Sequence, residues 1–340
     1  MTSQDLQEAL GRRLLCRATA SGEIRLPAVP SMLNNYADLC FDTFKSLGVV
    51  FDVEQSLRLR DVLAGQLSLA FDASPRSEIV ISYSKPVGKA LDYHVKAQWV
   101  TLETAYGVWV STRKPPLFGP SPDARVWSLA LQTTDPAVCP VLDLGAGTGR
   151  NALALARRGH PVDAIEMTAA FAGLLRRDAE GEQLGVRVLE GDLLARRDDL
   201  RRDYGLVVVS EVASDFRGAD QLHQLFELAA LSLAPGGYLV FNVFLPQVGY
   251  TPDAATRELG QQVYTSVFSY PEVSAAAAGL PLVCIADDPV LEFEQQHLPL
   301  GGWPPTSWYS DWVSGLDVFD LPREQSPIAM RWLVYKKEEQ

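Results

Sequence analysis

Residues 141–156 run VLDLGAGTGRNALALA, and this stretch limits the possible folds more than any other. A short apolar run (Val141, Leu142, Leu144) carries one acid, Asp143, and then breaks into Gly145, Ala146, Gly147, Thr148 and Gly149. From Arg150 and Asn151 an Ala/Leu-rich helical pattern takes over. Strand, glycine turn and helix in that order make a nucleotide-binding corner. Glycine admits positive φ and close backbone approach, and the start of a helix presents free N–H groups. Loops of this kind also serve NAD and FAD, so the turn alone does not choose the nucleotide. A dinucleotide fingerprint needs G-x-G-x-x-G, whereas the third glycine here comes one position early. An ordinary strand-to-helix turn is the plain alternative.

Further acids follow at strand ends. Residues 161–165 form a short strand pattern ending in Glu166, about twenty residues past the loop, where an acid can hydrogen-bond a ribose diol. That position suits any nucleoside. Residues 186–189 read as the next strand and lead to Glu190, Gly191 and Asp192. Residues 204–209 are a continuous apolar run, the pattern of a parallel strand buried on both faces, and they open into Ser210, Glu211, Ser214 and Asp215. A helical pattern through Ala234, a Pro235-Gly236-Gly237 turn and a strand over 238–243 come next. Residues 281–286 and 328–335 read as two late strands.

The VLDLGAGTG run resembles motif I of the class I S-adenosylmethionine (SAM) methyltransferases, an acid two residues before a GxGxG loop. With Glu166, Asp192, the PGG turn and the late strands, the resemblance covers about residues 125–337. It implies an α/β, Rossmann-like seven-stranded sheet whose last two strands form an antiparallel hairpin. It also implies SAM as cofactor, with S-adenosylhomocysteine as product. By the same resemblance, Asp143 helps recognise the ammonium group of SAM, and Gly145, Ala146, Gly147, Gly149, Arg150 and Asn151 surround it. Glu166 and Met167 fall at the ribose, Asp192 and Leu193 at the adenine, and Ser210 at the strand end facing the cofactor. A surface turn is the alternative for Gly191-Asp192 taken alone.

Methyl transfer is an in-line displacement, so alignment and desolvation contribute much, and a base matters only where the acceptor must lose a proton. Asp215 is the candidate, in the loop after the fourth strand, with Glu211 and Ser214 beside it and Asn242 as a second acceptor contact. A carboxylate there suits an amine acceptor, or the sulfonium formed from a thioether. The alternative for Asp215 is a helix N-cap. No histidine lies in this loop and no NPPY or DPPY follows the fourth strand, so the resemblance does not extend to enzymes built on those features.

At 340 residues with 47% apolar content, the chain exceeds one average domain and can bury a large core. Its net charge of −12 argues against a nucleic acid as substrate, because such binding depends on neutralising phosphates. The arginine pairs at 176–177, 196–197 and 201–202 each lie close to acids and suit a solvated helix face. The first residues lack an apolar signal core and no run has the length of a membrane span, so no membrane association is expected. Four scattered cysteines without framework spacing fit a reducing, cytoplasmic setting. Four histidines without H-x-x-x-H pairing suggest no metal site.

Residues 1–124 have a different character and are expected to form an α+β cap that serves the substrate or dimerisation, with 125–340 as the SAM-binding domain. Helices are expected over 6–16, 32–47, 53–71 and 101–111, and a strand hairpin over 78–84 and 91–100. Residues 114–122, rich in proline and glycine, read as a stiff linker. Tyr106, Trp109 and Arg113 lie on the approach to it, placed to cover the sulfonium or bind the methionine carboxylate; for Tyr106 and Trp109, core packing is the alternative. An aromatic insert over about 291–325 holds Trp303, Trp308, Tyr309 and Trp312, three tryptophans within ten residues. Such a cluster can line a pocket, stack on a cationic acceptor, bury an interface or simply pack a loop. The expected activity is methyl transfer to a small-molecule acceptor at N, O or S in a partly aromatic pocket. A protein or nucleic-acid methyltransferase and a non-catalytic SAM-binding scaffold are the alternatives, and a homodimer is compatible with all three.

Overall fold

The computed structural model describes residues 2–15, 17–87, 90–113, 116–195 and 197–339. The chain divides into two compact units, Met1–Leu102 and Glu103–Gln340. The division falls before the helix that precedes the proline-rich stretch, earlier than the 124/125 boundary that composition suggests.

In the first unit, α1 (Ser3–Leu15) leads to β1 (Ala20–Pro27), then α2 (Leu33–Ser46), α3 (Val53–Ala73), β2 (Glu78–Lys85) and β3 (Asp92–Gln98). The three strands form an antiparallel sheet in the order β1-β2-β3. Asp52 and Gln55 cap α3 reciprocally, satisfying two end donors at once. Leu59, Leu63 and Leu67 then recur at four-residue spacing on its buried face, packed with Cys40 and Phe44 of α2 and with Ile79 and Ile81 of β2. The expected hairpin is therefore joined by a third strand. Half-buried Ile24 and Leu26 alternate in β1 with exposed Glu23 and Arg25, a period too short and too charged to stand out in the sequence.

The second unit begins with α4 (Leu102–Thr112) and α5 (Ala124–Ala130). The parallel part follows: β4 (Val141–Leu144), α6 (Arg150–Arg157), β5 (Val162–Glu166), α7 (Ala169–Gly181), β6 (Val186–Glu190), β7 (Tyr204–Val209), α8 (Ala219–Ser232) and β8 (Leu233–Pro246). It ends with α9 (Ala254–Gln262), α10 (Tyr270–Ala277), β9 (Leu282–Pro289), α11 (Val290–His297), α12 (Tyr309–Trp312) and β10 (Ile328–Lys337). The seven strands run β6-β5-β4-β7-β8-β10-β9, with β10 antiparallel to both neighbours. Every residue of β4 and β5 is buried, as a parallel sheet covered on both faces requires. One face packs Val208, Val240, Phe244 and Trp332 into a core, and the other packs Leu142, Val207, Phe241 and Phe226. The Pro235-Gly236-Gly237 turn lies within β8 as an irregularity, where the pairing with β7 shifts register after Tyr204. β4 and β7 run parallel, but the order in which strands are added switches sides between them, so their carboxyl ends mark the usual place for a ligand in such sheets.

Candidate active site

The glycine loop sits at the crevice outside those strand ends. Gly149 caps the start of α6 at φ +94°, and a Cβ there would lie 2.4 Å from Leu175 Cδ1. At Gly145, φ +73°, a Cβ would meet Val212 Cγ2 at 2.3 Å. Neither position tolerates a side chain. The loop is tied to β5 by Gly145 and Ala146, whose amides donate to Ile165 O at 2.9 and 3.0 Å. Glu166, at the end of β5, accepts from the Gly147 amide at 2.8 Å and from the Thr168 amide at 2.7 Å. Burial raises its pKa above the usual range, and these amides pull it back. Asp143 is 1% exposed, and its Oδ2 has no hydrogen-bond partner among the described residues. Burial first, and Asp123 second, push this carboxyl up to about 7. Farther along, Met167 and Asp192 are exposed; Asp192 Oδ1 accepts from the Leu194 amide at 2.9 Å, and Leu193 is half-buried.

Arg150, the first residue of α6, organises the next shell. Its guanidinium donates to Asp123 (2.8 Å), Glu211 (2.6 Å), the Ser210 hydroxyl (3.3 Å) and the Phe118 carbonyl (2.8 Å). Asp123 in turn accepts from Ser210 Oγ at 2.6 Å and Asn151 Nδ2 at 2.8 Å, and its own amide donates to Asn151 Oδ1 at 2.9 Å. Burial works against the charge on Arg150, but Asp123 and Glu211 outweigh it and raise its pKa. Behind Asp123, Glu294 of α11 accepts from the Ala124 and Arg125 amides and from Trp332 Nε1 at 2.7, 3.1 and 2.9 Å. Burial and then Asp123 push Glu294 up to about 7.

Glu211 adopts a left-handed backbone, φ +61°, just past β7. Its amide donates to Asn242 Oδ1 of β8 at 2.6 Å, and Ser214 Oγ donates to its carbonyl at 3.0 Å. Asn242 is fully buried and its Nδ2 has no partner. Asp215 does not cap α8, whose N-cap is Gly218 with no side-chain bond. Instead the Tyr106 hydroxyl of α4 donates to Asp215 Oδ2 at 2.6 Å.

Aromatic rings continue from that bond. Tyr106, Trp109 and Tyr264 are mutual neighbours, with centroids 5.4–5.8 Å apart. Phe171 joins Tyr106 at 5.7 Å and Phe118 at 5.5 Å, and Trp308 joins Trp109 at 6.1 Å. Phe118 lies against the glycine loop, 3.3 Å from where a Gly147 Cβ would sit. Arg113 is exposed and stacks 3.7 Å over Trp109.

Trp303, Trp308, Tyr309 and Trp312 of the insert have separate fates. Trp312 is core, packed on Phe244 at 5.6 Å with its Nε1 donating to Tyr264 O at 2.9 Å. Tyr309 is buried with an unpartnered hydroxyl, Trp303 is half-buried against it, and Trp308 reaches the ring cluster. The crevice thus gathers Asp143, the glycine loop, Glu166, Ser210, Glu211 and Asn242. Asp215 and Tyr106 meet directly. Met167 and Asp192 stand at the open end.

Sequence reasoning passes over Asp123, Phe118, Phe171 and Tyr264. Asp123, between a proline-rich run and a helix, has the look of a cap; it occupies that position in α5 but makes no side-chain cap bond. Tyr264 has φ +58° with no glycine to announce the turn.

Residues 141–237 match a family model described as a methyltransferase domain. No curated protein matches the sequence. Similar solved structures include a geranyl diphosphate C-methyltransferase from Streptomyces coelicolor A3(2) in complex with Mg2+, geranyl diphosphate and S-adenosyl-L-homocysteine. It is 18% identical, with 63% of this chain and 78% of that chain covered and a TM-score of 0.48. Another is a putative sarcosine dimethylglycine methyltransferase from Galdieria sulphuraria, 15% identical over 64% of this chain and 85% of that chain, with a TM-score of 0.48.

Proposed function

We propose that the chain, whose residues 141–237 match a methyltransferase domain, is a class I SAM-dependent enzyme that methylates a small molecule in an aromatic-walled site at the carboxyl ends of β4, β7 and β8. The observation that carries this reading is the bond from Tyr106 of α4 to Asp215, 2.6 Å. It brings α4 and its rings over the crevice, with Phe118 against the glycine loop. A wall of this kind suits an acceptor small enough to be enclosed. A macromolecular acceptor would call for an open and, for nucleic acid, basic face, which a net charge of −12 does not favour.

The cofactor fits the residues present. A buried carboxylate oxygen without a partner, on Asp143, suits a ligand that brings its own ammonium. Glycine-only backbone leaves room at the loop, Glu166 would hold the ribose, and Asp192 with Leu193 the adenine. SAM supplies the activated methyl group when bound. The chain's own part is alignment and exclusion of water. The Asp123–Arg150–Glu211 network with Asn242 fixes the turn after β7, and Asp215 faces the acceptor, to orient it and take up its proton.

The test is to incubate the protein with methyl-tritiated SAM and whole-cell lysate, then separate products by size. Label in the fraction below about 1 kDa is expected, the size of acceptor that an enclosed pocket holds. Label in protein or RNA overturns the reading, and S-adenosylhomocysteine binding without any transfer marks a scaffold instead.

A further inference from the structure

Resting on the small-molecule reading above, we propose that the acceptor is an amine, held as its ammonium against the Asp215 carboxylate. Three features of the second unit converge on this. The Tyr106 hydroxyl donates to Asp215 Oδ2 at 2.6 Å, which fixes the carboxylate beside the rings of α4. The surroundings are rich in negative charge. Asp123 is 2% exposed and Glu211 12%, and Arg150, the guanidinium between them, is already shared by both acids and the Phe118 carbonyl. An anionic acceptor would enter that field against repulsion, whereas an ammonium enters with it. Finally, the walls are aromatic. Tyr106, Trp109, Tyr264 and Trp308 come from three separate segments, and ring faces attract cations while sheltering an apolar body.

A separate observation points to a ligand. Tyr309 is 1% exposed and its hydroxyl has no hydrogen-bond partner among the described residues, yet it lies within the field of Asp123, Glu211 and Glu294. A phenol there can accept an N–H from a bound amine as readily as it donates.

The chemistry balances without another reagent. The ammonium passes one proton to Asp215, which frees a nitrogen lone pair. That pair forms the N–C bond to the methyl group as the C–S bond breaks, and the bonding electrons stay on sulfur. The product leaves as an N-methylammonium, and Asp215 returns its proton to water.

The experiment uses full-length protein, methyl-tritiated SAM and a deproteinised cell extract below about 1 kDa, a cut-off matched to an enclosed pocket. Labelled product should be retained on a cation exchanger at acidic pH and survive mild base. Asp215→Asn should lower its formation about a hundredfold, in the range of a lost acid–base group. S-adenosylhomocysteine affinity of that variant should stay within about twofold, which also shows that it is folded. Tyr106→Phe, which keeps the carboxylate, should lose about tenfold. A neutral or acidic labelled product overturns the amine and leaves the small-molecule reading standing. No labelled product at all, or no S-adenosylhomocysteine binding, overturns both.

Discussion

The carboxylate of Glu166 accepts the Gly147 amide at 2.8 Å, so the acid ending β5 and the loop following β4 hold each other across nineteen residues of sequence. Occupation of the crevice by a ribose would replace that amide with hydroxyls. Glu166→Ala should therefore weaken S-adenosylhomocysteine binding by at least about tenfold, or about 1.4 kcal/mol. Asp143→Ala should do the same through the ammonium. Isothermal calorimetry on both variants is the check, and unchanged affinity in both would sink the cofactor roles.

Gly149→Ala should destabilise the second unit by about 2–4 kcal/mol, combining left-handed backbone strain with overpacking. The new methyl has nowhere to go, because Leu175 Cδ1 stands 2.4 Å from its position. Urea denaturation gives the number; a loss below about 0.5 kcal/mol, the level of an ordinary surface change, would refute the packing account.

Removing Arg150 strands two buried acids. Arg150→Met should cost about 3–5 kcal/mol, since Asp123 and Glu211 lose their shared counter-charge. The double variant Arg150→Met/Glu211→Gln should recover part of the loss. Additive losses would mean that the pair is not coupled.

Stability should fall with rising pH in a way traceable to Asp143. Its native carboxyl is pushed up to about 7 from an ordinary 3.8, so the folded chain keeps a proton that the unfolded chain has already lost. Between those values unfolding releases that proton, and the stabilisation present at acidic pH is lost by about pH 7. Glu294, also raised to about 7, acts in the same direction. Each group can contribute up to about 1.4 kcal/mol per pH unit. Urea midpoints at pH 5 and pH 8 should drop further in the wild type than in Asp143→Asn. Equal drops would falsify the assignment.

The parts of this site legible in the sequence are those where function is local. Asp143, the glycines and Glu166 announce themselves because a strand end and its loop lie within a few residues of one another. Asp123 is not legible, since its partners Arg150, Asn151 and Ser210 are 27, 28 and 87 residues away and only the sheet brings them together. Tyr264 hides for a different reason: it ends α9 as a left-handed residue, closed by the Thr265 amide on the Gly260 carbonyl at 2.8 Å, without the glycine that usually marks such a cap. The tryptophan-rich insert was open to several uses because composition cannot separate a wall from a core. Packing divides it, with Trp312 inside and Trp308 at the rings.

In the fold itself, the sheet of the second unit was foreseeable from continuous apolar runs, which only a strand covered on both faces requires. The short, charged alternation of β1 gave no such signal.

The sheet order also bears on how the protein is made. β10 lies between β8 and β9, yet it follows both in the sequence. Until residues 328–337 emerge from the ribosome, two strand edges face an empty lane that only this segment fits. A nascent chain that stalled before Ile328 would carry two unpaired edges, the feature most prone to pairing with other chains. The strand that closes the sheet is thus translated after both of the neighbours it joins.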